Sequence, residues 1–399
     1  MRTPVNTRAP CFDPLAIHET IRNALAAAGL DTNKGPMLGV TDTIRRALSS
    51  AGLPSTDGVA VARENVTDVV ARVFDVWQES DGEAARQPSL DAPQLPVGTF
   101  NACKFTNPAG TRAYKLYVPP RIGASPPALI VMLHGCTQCA DDFAAGTQMN
   151  RLADDNGFLV VYPEQATSAN SSKCWNWFKA QDQVRDSGEP SLIAGIAHEV
   201  AARHGVDTGR IFVAGLSAGA AMAVILGETY PELFAGVGAH SGLPYRSAHD
   251  LPSALSAMKG GRSGTADLSA FLSGNVAERR EIAQAVPVIV FHGDGDRTVQ
   301  QVNGNEIVRQ ARRAHSAAGA GRVMRDSVHR GTSPGGRSFS RTVHADAAGR
   351  PRVESWVVHG AGHAWAGGSA RGSHTDASGP DASAEMVRFF LSLPRAGSA

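Results

Sequence analysis

The chain lacks any long apolar run. Residues 128–133 ("ALIVML") are typical of its longest apolar stretches and are strand-sized, far short of the roughly 20 residues that a membrane-spanning helix needs. It lacks an excess of either charge. Its 38 Lys and Arg against 37 Asp and Glu leave a formal net charge of +1, which argues against a nucleic-acid partner, since such partners select basic surfaces. The first residues, "MRTPVNTRAPCFDPLAIHET", lack the apolar core of roughly 7–15 residues found in a secretory signal. On that ground a cytoplasmic chain is expected. Cysteine is scarce: Cys11, Cys103, Cys136, Cys139 and Cys174 are too few, and odd in number, for a disulfide scaffold in a chain of 399 residues. Cys136 and Cys139 have Cys-x-x-Cys spacing, but no second pair of ligands accompanies them, so no metal site is expected. The sequence around them does not suit a thioredoxin-like redox pair either.

What is present divides at about residue 95. Residues 1–95 hold an internal repeat, "TIRNALAAAGL" (20–30) and "TIRRALSSAGL" (43–53). Ile17, Ile21, Ala24, Leu25 and Ala28 fall on one helical face, and Val40, Ile44, Ala47, Leu48 and Ala51 repeat it. A third stretch, 66–78, aligns Val66, Val69, Val70, Val73 and Trp77, and 79–98 reads as a linker. A short helical segment is expected here. It either packs on the rest of the chain or docks on a protein partner or an apolar granule.

Residues 96–399 are expected to form one α/β domain. Apolar, strand-like runs at 111–120, 128–135, 158–164, 209–215, 286–296 and 353–363 alternate with helical patterns at 141–157, 191–205, 218–231, 305–319 and 384–393. That alternation implies a mainly parallel sheet with helices on both faces. Reactive groups in such sheets lie at the carboxyl ends of the strands. Three polar clusters fall there.

The first cluster is "VAGLSAGAAMA" (213–223), with Ser217 between Gly215 and Gly219 on a strand-to-helix turn. Such a turn presents the hydroxyl beside a helix N-terminus. A serine hydroxyl needs a base, and the base needs a carboxylate to orient it. His363, at a strand end in "HGAGH", is the expected base, with His359 and His374 as weaker candidates. The acid comes from "FHGDGD". Asp296 lies deeper in the loop and is preferred, while Asp294 is expected to cap the turn. Backbone N–H groups of Ala218 and of Cys136 or Thr137 are the candidates for holding an oxyanion. The order Ser217, Asp296, His363 is that of an α/β-hydrolase. Trp175, Trp177 and Trp365 are candidates for an apolar substrate groove, with Trp365 expected to be exposed to the site.

Six motifs, "LHGCTQ" (133–138), "CWNWF" (174–178), "GLSAGAAMA", "SGLPY" (241–245), "HGDGDRTV" and "GAGHAWAGG" (360–368), stand in one order. Over about residues 100 to 393 the chain thereby resembles the polyhydroxybutyrate depolymerase-type esterases, which are themselves similar to feruloyl and acetylxylan esterases. The resemblance implies a serine esterase without metal or organic cofactor, with Ser217, Asp296 and His363 as its triad. Its substrate would be a hydroxybutyrate polyester or oligomer, or else a plant-polysaccharide ester. It also implies a Cys136–Cys174 disulfide and a secreted protein, which conflicts with the cytoplasmic expectation. The chain departs from the pattern in carrying Cys139 and in having "GAAM" where "GGAM" is commoner. The rival functions are a serine peptidase on the same fold and a granule-binding protein with an idle esterase domain.

Overall fold

A computed structural model describes residues 98–261, 285–318 and 324–395. All lie in the compact unit Pro96–Ala399. The helical repeat and linker expected before residue 96, and Cys11 with them, lie outside the described residues.

Strands β1 (Thr99–Asn107), β2 (Gly110–Val118), β3 (Leu129–Leu133), β4 (Leu159–Glu164), β5 (Ile211–Leu216), β6 (Gly236–His240), β7 (Val288–Gly293), β8 (Arg325–Thr332), β9 (Ser338–Ala345) and β10 (Pro351–Val358) form one sheet. Its order is β1-β2-β4-β3-β5-β6-β7-β10-β9-β8. The middle of the sheet, from β4 to β10 in that order, is parallel throughout. An antiparallel hairpin extends each end, β1–β2 on one side and β9–β8 on the other. Every residue of β3, β5, β6 and β7 is buried. Continuous apolar runs are what a strand covered on both faces requires.

Alternation assigns successive residues to opposite faces. Leu129, Val131 and Leu133 pack with α3 (Gly188–His204) and α4 (Ala218–Thr229). Ile130 and Met132 pack on the other side with α1 (Ala140–Thr147), α2 (Met149–Asn156) and α7 (Ala382–Ser392). Two more helices, α5 (Leu251–Met258) and α6 (Val302–Ala318), follow β6 and β7. Together these elements make the α/β-hydrolase fold. The periodicity at 141–157 predicts one helix, but the chain forms two. Gln148 takes a left-handed conformation (φ 54°) that ends α1 and turns the chain into α2. Among the described residues no helix is long and apolar enough to cross a membrane.

Candidate active site

Ser217 joins β5 to α4 with φ 57° and ψ −119°, a conformation that non-glycine residues rarely hold. The turn survives because its neighbours are small. A Cβ on Gly215 would strike the backbone of Gly219, and a Cβ on Gly219 would strike the carbonyl oxygen of Leu133 in β3. Two hydrogen bonds fix the serine itself. Its N–H donates to the His240 carbonyl at 2.9 Å, and its carbonyl accepts from Ala221 N–H at 3.0 Å as the first bond of α4.

Asp296 lies in the turn after β7, with 5% of its surface exposed. Its Oδ1 accepts the Thr298 and Val299 N–H groups, each at 2.9 Å. Its Oδ2 lies 2.7 Å from His363 Nδ1. Burial pushes this carboxyl up. The hydrogen bond and charge of His363, the Val299 N–H and nearby His292 outweigh burial and hold it below the usual carboxylate range. An ionised Asp296 can only accept, so Nδ1 of His363 carries the proton and Nε2 is left as the basic nitrogen.

The loops that carry these two residues are zipped together by their main chains. Asp294 N–H donates to the Val358 carbonyl at 3.2 Å, and Gly295 N–H to the Ala361 carbonyl at 3.1 Å. Asp294 does not act as the simple turn cap expected from sequence. Its carboxylate reaches across to Gly360 N–H at 2.6 Å and to His359 Nδ1 at 2.8 Å. His359 Nε2 in turn lies 2.9 Å from Ser340 Oγ. This exposed array copies the order serine, histidine, aspartate, but Ser340 sits within β9 rather than on an elbow before a helix. His374, the remaining histidine candidate, offers its carbonyl to Trp365 N–H at 2.7 Å and is exposed.

After β3, Thr137 N–H is occupied by the Ser172 carbonyl at 2.8 Å. Neither Cys136 N–H nor Ala218 N–H has an intramolecular acceptor among the described residues. Of the two alternatives in this loop, Cys136 is therefore the donor left available. A disulfide joins Cys136 to Cys174, with Cα atoms 4.2 Å apart, and links this loop to the tryptophan segment. That segment is anchored in turn by a buried polar cluster. Glu189 accepts from Asn176 N–H at 2.7 Å and from Asn176 Nδ2 at 2.8 Å, and it faces the buried Arg112 guanidinium at 3.6 Å. Gln165 Nε2 donates to the Cys174 carbonyl at 2.9 Å. Among the described residues no group of three His, Cys, Asp or Glu side chains is placed to hold a metal ion.

The tryptophan expectation needs correcting. Trp365 is 1% exposed, not open to the site. Its Nε1 donates to Ser383 Oγ at 3.0 Å, and its ring packs edge-on against Phe143 and stacks on His240. Trp175 is wholly buried, its Nε1 donating to the His134 carbonyl at 3.1 Å, and Trp177 is buried as well. The small residues around Trp365 in sequence suggest an open loop, but α7 and α1 close over it from elsewhere in the chain. Replacing Trp365 with alanine is accordingly expected to cost about 3–5 kcal/mol of stability. Thermal melting checks this, and turnover should fall alike on every ester rather than selectively on oligomers.

Several known proteins resemble this chain. The profile of the family described as "Esterase PHB depolymerase" matches residues 112–331. Over 261 residues the chain is 36% identical to poly(3-hydroxyalkanoate) depolymerase C of Paucimonas lemoignei, a match covering 65% of this chain and 59% of that protein. It is 31% identical over 214 residues to acetylxylan esterase A of Aspergillus oryzae, covering 51% of this chain and 66% of that protein. The matches thus span less than two thirds of the length of these relatives. In structure it is similar to the acetyl xylan esterase from Aspergillus awamori, with a TM-score of 0.56 and 19% identity, over 74% of this chain and 100% of that one. That likeness establishes the shared fold. With the profile spanning more than half its length, the chain belongs to the PHB depolymerase esterase family.

Proposed function

We propose that the chain is a serine carboxylic ester hydrolase that works through an acyl-enzyme, with hydroxyalkanoate polyesters or oligomers as its substrate. The observation that carries this reading is the 2.7 Å bond from His363 to Asp296 at the carboxyl end of the sheet on which Ser217 forms its elbow. In the proposed cycle Ser217 Oγ attacks the ester carbonyl and passes its proton to His363 Nε2. Asp296 keeps the imidazole in the needed tautomer and stabilises its positive charge. The N–H groups of Cys136 and Ala218 hold the developing oxyanion, helped by the positive end of α4. His363 then protonates the leaving alcohol; water next attacks the acyl carbonyl as His363 takes its proton, and His363 returns that proton to Ser217 Oγ as the acid departs.

The polyester substrate is favoured by the Paucimonas lemoignei relative, whose sequence similarity extends over more of this chain than that of the Aspergillus oryzae acetylxylan esterase. Acetyl esters of xylan are the second reading, on the strength of the Aspergillus oryzae relative. Side-by-side hydrolysis of a 3-hydroxybutyrate oligomer, acetylated xylan, a feruloyl ester and a peptide amide decides between them. Oligomer preference supports the depolymerase reading. Preference for acetylated xylan or the feruloyl ester moves the assignment to polysaccharide esters, and preference for the amide sinks the esterase class.

The repeated apolar faces of residues 1–95 suit a granule or protein partner separate from chemistry. Paired Ile21→Glu and Ile44→Glu substitutions are expected to leave turnover of a soluble ester unchanged and to weaken retention on polyester granules. Unchanged retention would remove the granule role.

A further inference from the structure

We propose that His240 is a positioning residue for this reaction, tying the strand that presents the nucleophile to the loop that carries the base. The proposal rests on the esterase reading given above. His240 is the last residue of β6, and it has 1% of its surface exposed. It touches the site in three directions. Its carbonyl accepts the Ser217 N–H at 2.9 Å, extending the parallel register in which Leu216 faces His240. Its Nε2 accepts the Ala366 N–H at 3.0 Å, three residues beyond His363. Its ring stacks on Phe291 at 5.8 Å, five residues before Asp296, and on Trp365 at 5.1 Å, two residues beyond His363. One buried residue thus meets the nucleophile's turn through its main chain, and the segments that carry the acid and the base through its side chain.

The chemistry suits a fixed support rather than a proton carrier. A main-chain N–H donates to Nε2, so the ring proton must sit on Nδ1, which faces Ser241 Oγ at 3.2 Å. Burial, with His292 and His363 nearby, lowers this imidazole to about 3 against a smaller opposing pull from Asp296. It is neutral near neutral pH, and adds no positive charge to oppose an imidazolium at His363. Without the Nε2 acceptor, the buried Ala366 N–H would have no partner and would have to move or find another. That displaces the loop that aims His363, and small errors of aim at a base reduce rate steeply.

The oxygen position in amide substitutes separates this role from simple packing. A glutamine side-chain oxygen can reach the place of Nε2, whereas an asparagine oxygen reaches only that of Nδ1, and phenylalanine keeps the stack without any acceptor. In the full chain, with p-nitrophenyl acetate as probe, His240→Phe and His240→Asn are expected to lower kcat by about 10–100-fold with KM within about twofold. His240→Gln should recover most of that loss. The downfield NMR proton of the His363–Asp296 bond should persist in His240→Gln and broaden in the other two. Equal kcat in the Gln and Asn variants, or wild-type kcat and resonance in His240→Phe, would overturn the proposal. If His240→Phe fails to fold, the Gln and Asn pair, matched by melting temperature, carries the comparison. Wild-type turnover that survives Ser217→Ala would overturn the esterase reading instead, and the resonance comparison would still decide the positioning role.

Discussion

Replacing Ser217 with alanine is expected to lower ester turnover by about a thousandfold or more, because the attacking oxygen is gone while the oxyanion donors and the histidine remain. Stability should hardly change. Alanine has a Cβ like serine, so it inherits the same unfavourable φ of 57° without adding to it. Glycine at the same position is the informative companion. It removes the nucleophile as well, but it is comfortable at positive φ, so Ser217→Gly should be more stable than wild type by roughly 1 kcal/mol or more. Rates on p-nitrophenyl acetate together with thermal melts read both effects. Full activity in Ser217→Ala would defeat the mechanism outright. A glycine variant no more stable than the alanine one would mean that the elbow is not strained.

Asp296→Asn is expected to be nearly as damaging, at about 10³–10⁴-fold in kcat. The amide can still accept the Thr298 and Val299 N–H groups through its oxygen, so the turn should survive. What it then presents to His363 Nδ1 is a donor, which favours the tautomer with the proton on Nε2, where a base is required. Asp294→Asn provides the contrast. That carboxylate meets His359 and Gly360, not His363, so its loss should cost about tenfold or less. Parallel kcat measurements on the two variants check the assignment. A larger loss for Asp294→Asn would transfer the role of acid to that residue.

The parts legible in the sequence are those whose physics is local. A buried parallel strand must be apolar along its whole length, so β3 and β7 announce themselves as "LIVML" and "VIVFHG". The elbow shows because the close approach of Gly215 and Gly219 to neighbouring backbone admits no side chain. The contact between Asp296 and His363 follows from both lying past the ends of adjacent parallel strands, β7 and β10. What is not legible depends on distant partners. Strand β6, "GVGAH", carries little apolar bulk, because Gly236 and Gly238 leave room for Phe390 and Met386 of α7. The break at Gln148 is made by a non-glycine residue in the left-handed region, which periodicity does not flag. Trp365 is hidden by Ser383, 18 positions later in the chain, and by Phe143, far earlier in it, and no neighbouring residue records that burial. His240 has no motif of its own, because the role proposed for it depends on segments far apart in the sequence.

The zipper between the acid and base loops has a consequence for how such a chain changes over evolutionary time. Its principal bonds, Asp294 N–H to Val358 and Gly295 N–H to Ala361, run from main chain to main chain. Away from Gly293 and Gly295, where a Cβ would press on the Ala361 carbonyl, no substitution short of proline deletes these backbone donors, so much of this alignment is sheltered from mutational drift. Side chains around the mouth of the site can then be exchanged for new acyl or alcohol groups while the spacing between His363 and Asp296 is inherited unchanged. A single frame can in this way diversify across chemically unlike esters, with novelty confined to the residues that meet substrate and heredity lodged in the peptide groups beneath them.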